Sequence, residues 1–338
     1  MKVLLVCERS AGHIFPALSI GAKMSQEATV YFFATSSFLK RYIEKEGFVC
    51  IGKSFSFRCL IAEGIWRLFE ALYFIIKLRP KKVIGFGGRD SFFLVLFSSL
   101  LGIDTAIYEP NLKIGRANRL LMPFVGKILR GFPGEDNKKS RTIGIPLRKN
   151  IKKIDKTEAR KILNFNDDPV VFCLGGSQGS TFVNNIFVEF AREFKDKLQI
   201  IHLTGKDKYL EILPLYNTIK GQSFIKDFYY NVEVLYSAAD LVVSRAGANA
   251  LGEISFYQLP AILLPHPEAS GHQKENALYL EKRGAAIVYL QDKFFPKEFK
   301  ASLSELIANE SRRQNIRNNL SKIRLGISYE DFSSNTYF

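Results

Sequence analysis

Asp240-Leu-Val-Val-Ser-Arg-Ala-Gly-Ala-Asn-Ala-Leu-Gly-Glu-Ile-Ser255 is the stretch whose reading decides the fold. Residues 241–243 are a short apolar run with two β-branched members, the pattern of a buried parallel strand. Residues 244–247 make a tight polar turn, and 248–256 read as a helix with Glu253 one turn in. A second strand at 261–264 opens into a loop with two prolines, two histidines and a glycine. A new helix starts near His272. Two strand-to-helix junctions therefore lie side by side. Such junctions expose backbone N–H groups and the positive end of a helix dipole, which suits a phosphate. Glu253 supplies a carboxylate that can accept from two ribose hydroxyls. The pattern points to a nucleoside diphosphate, although strand–turn–helix units of ordinary α/β proteins share it and bind nothing.

Outward from this stretch, strands and helices alternate along the chain. In the first half, strands are read at 3–7, 29–34, 83–86, 105–108 and 127–129. Helices are read at 15–24, 37–46, 60–78, 91–101 and 115–121. The second half restarts with strands at 170–174, 200–203, 223–225, 241–243, 261–264 and 286–289. Alternation of this kind predicts parallel sheets covered by helices on both faces. Residues 132–157, rich in Gly, Pro, Lys and Asn, read as the linker. The predicted class is α/β, two doubly wound domains with a cleft between them and ligands at the C-terminal ends of the strands.

Composition narrows the partners. The chain of 338 residues is long enough for two domains, and 47% hydrophobic residues argue against disorder. The apolar, uncharged run 91–103 fits a buried helix better than a membrane crossing. Met1 leads straight into a strand, and no signal peptide is read. Cys7, Cys50, Cys59 and Cys173 form no C-x-x-C pair and read as reduced thiols of a cytoplasmic protein. The net charge of +15 favours an anionic partner. No basic stripe interleaved with aromatics is visible, which disfavours nucleic acid.

Several loops carry candidate chemistry. Gly175-Gly-Ser-Gln-Gly179 follows a strand and precedes a helix; its glycines admit a phosphate to the backbone, and Ser177 adds a hydroxyl donor. Gly85-Phe-Gly-Gly88 is placed in the same way. Asn111, ending another strand, is either a turn residue or a reader of a sugar hydroxyl or acetamido group. His13 precedes the helix read from Phe15, as a base near neutral pH or as a capping residue. His266 and His272 lack a third ligand at metal spacing, so no metal site is read. In 60–78, Ile61, Ile65, Leu68, Phe69, Leu72, Ile75 and Ile76 form a stripe expected to face the core. Trp66, Tyr73 and Phe74 fall off it beside Arg67, Lys77, Arg79, Lys81 and Lys82. They fit either an anionic membrane surface or a second packed face.

Taken in order, seven motifs resemble the MurG family of UDP-N-acetylglucosamine transferases. They are Gly12-His-Ile-Phe-Pro-Ala-Leu18, Gly85-Phe-Gly-Gly88, Glu109-Pro-Asn111, Gly144-Ile-Pro-Leu-Arg148, Gly175-Gly-Ser-Gln-Gly179, Ser244-Arg-Ala-Gly-Ala248 with Glu253, and Gln273 with Asn276-Ala277. The resemblance implies a GT-B fold of two Rossmann-like domains. Residues 1–147 would take lipid I (undecaprenyl-diphosphate-linked MurNAc-pentapeptide) at an anionic membrane surface. Residues 148–324 would take UDP-GlcNAc, and 325–338 would pack back on the first domain. It implies inverting transfer of GlcNAc to the acceptor 4-hydroxyl, giving lipid II for peptidoglycan synthesis. The enzyme would be peripheral, at the cytoplasmic face of a bacterial membrane, with no cofactor and no metal.

By the same resemblance, His13 is the base, and Ser10, Ala11 and Gly12 line the acceptor loop. Asn111 meets the GlcNAc. Arg148, Ser177 and Gln178 serve the diphosphate, and Ile225 holds the uracil through its backbone. Ala248, Asn249, Ala250, Leu251 and Gly252 give helix-start contacts, Glu253 takes the ribose and Gln273 the sugar hydroxyls. The chain departs from the family in its first half. Glu8-Arg-Ser-Ala-Gly-His13 stands for Gly-Gly-Thr-Gly-Gly-His, Glu-Pro-Asn for Glu-Gln-Asn, and Arg89-Asp-Ser-Phe92 for a small glycine-containing stretch. A related transferase with another acceptor, or a UDP-sugar binder without turnover, stays open beside the first reading.

Overall fold

The computed structural model describes residues 1–7, 11–52, 60–176, 178–194, 198–267 and 271–332, with backbone alone at 11, 37, 38, 60–65 and 90. Ser10, Ser177 and Cys59 lie outside the described residues. The chain forms two compact units, Met1–Lys149 with the residues from Ile327 onwards, and Asn150–Gly326.

The first unit runs β1 (Lys2–Val6), α1 (Ala11–Met24), β2 (Thr29–Phe33), α2 (Ser37–Lys45), β3 (Val49–Ile51), α3 (Leu60–Leu78) and β4 (Lys82–Gly85). It continues through α4 (Arg89–Leu100), β5 (Asp104–Glu109), α5 (Arg116–Leu121), β6 (Lys127–Arg130), β7 (Ser140–Thr142) and β8 (Ile145–Pro146). Strands β1 to β7 form one parallel sheet in the order β3-β2-β1-β4-β5-β6-β7. Successive residues of a strand face opposite sides, and both sides are covered here. Val3, Leu5 and Cys7 pack with Ile14, Ala17 and Ile20 of α1 and Ile43 of α2. Leu4 and Val6 pack with Ala71 and Ile75 of α3, Leu94 and Val95 of α4, and Leu121 of α5. The returning C-terminal segment belongs to the first layer. Phe332 is buried in it, Leu147 donates its N–H to the Ile327 carbonyl (2.9 Å), and Lys23 sits 4.5 Å above the Tyr329 ring.

Three sequence expectations change here. Helix α1 begins at Ala11, so His13 lies in its first turn rather than before it. The supposed linker at 132–157 holds β7 and β8 and the start of the next helix, and the units divide at 149/150. Ser140-Arg-Thr142 is a short polar edge strand, which carries little apolar signal for a sequence reading to find. The expected stripe of α3 is also corrected. Phe69 and Ile76 are exposed (62% and 67%), while Arg67, Glu70, Ala71, Ile75 and Leu78 are buried. Leu68 and Leu72 are half-buried; Ile61 and Ile65 fall outside the described side chains. A helix apolar nearly all round has no unique inward stripe. Ala71 permits close approach to the sheet, and Arg67 and Glu70 go in as a neutralised pair (Nη1–Oε2 2.8 Å).

The second unit runs α6 (Lys156–Ile162), β9 (Val170–Leu174), α7 (Thr181–Glu193), β10 (Gln199–Leu203), α8 (Tyr209–Ile212), β11 (Ser223–Lys226) and α9 (Val232–Ala238). There follow β12 (Leu241–Ser244), α10 (Ala248–Tyr257), β13 (Ala261–Leu263), α11 (His272–Glu281), β14 (Ile287–Val288), α12 (Pro296–Ala308) and α13 (Glu310–Ile323). Its six strands are parallel in the order β11-β10-β9-β12-β13-β14. Asp240, at the head of β12, accepts from the Val170 N–H (2.8 Å), Arg160 Nη2 (2.8 Å) and Lys156, which ties α6 to the sheet.

His202 on β10 is fully buried, and burial pushes its pKa from the ordinary 6.5 down to about 3. Between those values the unfolded chain takes up a proton that the folded one refuses. Stability should therefore be lost as pH falls from about 6.5 towards 3. Urea unfolding at pH 7 and pH 4.5 measures this. The His202→Gln variant, which has no imidazole to protonate, should lose less than the wild type over that interval; an equal loss in both overturns the assignment.

Candidate functional site

Each sheet reverses its strand order once, between β1 and β4 in the first unit and between β9 and β12 in the second. Ligands of open α/β sheets bind outside the C-terminal strand ends at such a point. The loops singled out from the sequence open there, because each follows one of those strands or its immediate neighbour.

In the second unit, β9 leads into Gly175–Gly179, β12 into 245–247 and β13 into 264–271. Gly176 and Gly179 have φ of +83° and +87°, values that L side chains rarely adopt. Gln178 is exposed beside them. Ser180 accepts from the Val183 N–H (3.2 Å) as the N-cap of α7. At α10, helix geometry leaves the N–H groups of the first turn without intrahelical acceptors. That supply ends at Leu251, whose N–H donates to the Gly247 carbonyl (3.0 Å) and whose side chain is in the core. Leu251 and Gly252 are therefore weaker candidates for backbone contact than Ala248, Asn249 and Ala250. Gln273, in the first turn of α11, accepts the His266 N–H through Oε1 (3.0 Å), which pins its amide to the β13–α11 loop. Ile225 lies on the edge strand β11. The N–H groups of Ile200 and Thr204 go to the carbonyls of Gln222 and Lys226. The even-numbered positions thus face β10, and the backbone of Ile225 faces the open edge, as a uracil contact requires.

Three side chains at these loops were given no role by the sequence reading, although Arg245 and Glu109 lie inside motifs it quoted. Arg245 donates to Ser180 Oγ (2.7 Å), the Leu264 carbonyl (2.8 Å) and Gln291 Oε1 (3.2 Å), joining the loops after β9, β12 and β13. Burial lowers its pKa only to about 10, so it carries its charge at neutral pH. Tyr236, buried and stacked on Tyr257, donates to Glu253 Oε2 (2.8 Å). Glu109, also buried, is the centre of the first unit's site. Its Oε1 accepts from Asn111 N (3.2 Å) and Nδ2 (3.0 Å). Its Oε2 accepts from Gly115 N (2.8 Å) and Asn118 Nδ2 (2.9 Å). An arginine in a strand–turn–helix junction and a glutamate at a strand end were the available signals; tyrosine inside a helix offered none.

His13 is half-buried in the first turn of α1, after Ala11 and the exposed Gly12. A Cβ added at Gly87 would lie 3.6 Å from both His13 Nε2 and Asn118 Nδ2. His13 of α1, Gly87 after β4 and Asn118 of α5 thus come together, and Glu109 at the end of β5 links Asn118 to Asn111. Arg148 falls in the first unit, with its guanidinium 4.7 Å from the Phe15 ring centroid. Phe15 is two residues beyond His13 on α1.

Two parallel-sheet units, with phosphate-type loops at the second switch point and a histidine–carboxylate–amide cluster at the first, describe a GT-B protein. A MurG of Acinetobacter baumannii has the same fold, with a TM-score of 0.77 at 23% identity over 97% of this chain and 96% of that one. The model of the glycosyltransferase family 28 N-terminal domain matches residues 4–130, and that of the C-terminal domain residues 170–328. A Halothermothrix orenii protein is 34% identical, covering 93% of this chain and 92% of its own. A Thermoanaerobacter sp. protein is 30% identical, covering 96% and 95%. Both are named UDP-N-acetylglucosamine–N-acetylmuramyl-(pentapeptide) pyrophosphoryl-undecaprenol N-acetylglucosamine transferase. The chain belongs to glycosyltransferase family 28, among its MurG members.

Proposed function

We propose that this chain transfers GlcNAc from UDP-GlcNAc to the 4-hydroxyl of the MurNAc-pentapeptide of lipid I, releasing UDP and forming lipid II. The observation that carries the reading is 34% identity over 93% of the chain to a transferase so named, joined to a second unit whose loops meet at its switch point. Glu253 accepts from the ribose, the Ile225 backbone pairs with uracil, and Gln273 binds the sugar hydroxyls. The loop with Ser177 and Gln178, the start of α10 and Arg148 neutralise the diphosphate. His13 takes the proton of the acceptor hydroxyl as its oxygen bonds to the anomeric carbon. The bond to the β-phosphate oxygen breaks, and UDP leaves with the electron pair. One displacement inverts the anomeric centre, and preorganised donors stabilise the leaving charge. Asn111 reads the GlcNAc, held in place by Glu109.

The test is UDP release from UDP-GlcNAc with and without a soluble lipid I analogue. Release only with the analogue is the expected result. UDP-GlcNAc binding without turnover would point to another acceptor or to a donor-binding protein without chemistry.

The same reading places the first unit at the cytoplasmic face of an anionic membrane. Among the described residues no helix is long and apolar enough to cross a membrane. Trp66, Phe69, Tyr73 and Ile76 are exposed along one side of α3, at the 3- and 4-residue spacing of a helix face. Lys77 donates to the Tyr73 hydroxyl (3.0 Å), and Arg79 and Lys81 are exposed just beyond. An apolar stripe edged by cations suits an interfacial helix. The Phe69→Ser, Ile76→Ser double variant should bind phosphatidylglycerol vesicles at least about tenfold more weakly, from the apolar area lost. Its turnover of the soluble analogue should be unchanged. Undiminished vesicle binding would exclude this face.

A further inference from the structure

A chain of buried hydrogen bonds runs beneath the Gly175–Gly179 loop. The Tyr216 hydroxyl and His202 Nδ1 are 2.6 Å apart, and His202 Nε2 and Asn184 Oδ1 are 3.1 Å apart. Asn184 Nδ2 donates to the Thr204 carbonyl (2.9 Å). His202, Asn184 and Thr204 are fully buried and Tyr216 nearly so. The direction of the chain follows from its far end. The Thr204 carbonyl accepts only, so the Asn184 amide must turn its NH2 group there and its oxygen towards His202. His202 must then carry its proton on Nε2 and accept at Nδ1 from Tyr216. A neutral imidazole is required, in accord with the depressed pKa of this residue.

Thr204 and Gly205 are the floor of the loop. Gly175 donates its N–H to the Leu203 carbonyl (2.8 Å) and accepts the Ser180 N–H (2.7 Å). A Cβ at Gly175 would overlap Asn184 Oδ1 and come within 2.8 Å of the Thr204 carbonyl. A Cβ at Gly205 would overlap the backbone of Gly179 and come within 2.6 Å of the Gly176 carbonyl. The loop therefore rests backbone-to-backbone on 204–205, and the Asn184 amide fixes that floor by bonding the Thr204 carbonyl while its oxygen packs against Gly175.

We propose that Asn184, oriented by His202 and Tyr216, is a positioning residue that shapes the Gly175–Gly179 loop to receive the diphosphate of the donor. This rests on the donor reading above. None of the three side chains is required to touch the ligand. Their effect is expected at the diphosphate, because the three side chains bond one another and Thr204 rather than Ile225 or Glu253.

Calorimetric affinities for UDP and uridine separate the two ideas. The wild type should bind UDP more tightly than uridine; equal affinities would overturn the donor reading itself. With that preference present, Asn184→Ala and His202→Leu should each cut the UDP-to-uridine ratio about tenfold, the scale of one buried hydrogen bond, with uridine affinity unchanged. His202→Gln, which keeps an N–H for Asn184, should restore most of the ratio and guards against a variant that fails to fold. Ratios equal to the wild type in folded Asn184→Ala or His202→Leu overturn the proposal, as does a parallel loss of UDP and uridine binding.

Discussion

Turnover by the His13→Ala variant is expected to fall by about 10²–10⁴-fold, the range spanned by general acid–base catalysis. UDP-GlcNAc affinity should stay within about twofold of the wild type, because the loss belongs to the transition state. The expectation rests on placement. His13 is in the first turn of α1, beside Gly87 and across from Asn118, which Glu109 holds. The donor candidates Ile225, Glu253 and Gln273 all belong to the second unit. Rapid-quench measurement of the sugar-transfer step, with calorimetry of UDP-GlcNAc binding, checks both halves. Full activity in the variant would remove His13 as the base. A fall in donor affinity matching the fall in turnover would make it a binding residue.

Glu253→Ala is expected to weaken UDP binding by about 1–3 kcal/mol, the loss of hydrogen bonds to a charged acceptor. The carboxylate is half-buried on α10, and the Tyr236 hydroxyl holds one of its oxygens at 2.8 Å. Tyr236 has little freedom of its own, being stacked at 8° on Tyr257 and edge-on to Phe172. Tyr236→Phe should therefore cost about three- to tenfold in UDP affinity by releasing the carboxylate. Little further loss should appear on top of Glu253→Ala, since the two act as a unit. A 2′,3′-dideoxy analogue of UDP should be nearly indifferent to both changes. Unchanged UDP affinity in Glu253→Ala would defeat the ribose role, and additive losses would defeat the coupling.

The sequence by itself determined the two parallel sheets, since runs such as Val-Leu-Leu-Val and Leu-Val-Val between helical segments have no other economical burial. It also determined which loops to examine, because glycine-rich turns between strand and helix follow from local backbone chemistry. Tertiary structure decided what depends on neighbours distant in sequence. It set which side of α3 goes in, burying Ala71, Ile75 and the Arg67–Glu70 pair and leaving Phe69 and Ile76 exposed. It made a polar Ser140-Arg-Thr142 an edge strand and drew Phe332 back into the first core. It also supplied the partners of the site: Tyr236 for Glu253, Glu109 for Asn111, and Arg245 across three loops. Such partners are invisible to spacing rules because a buried polar group takes whichever donor or acceptor the packing brings to it.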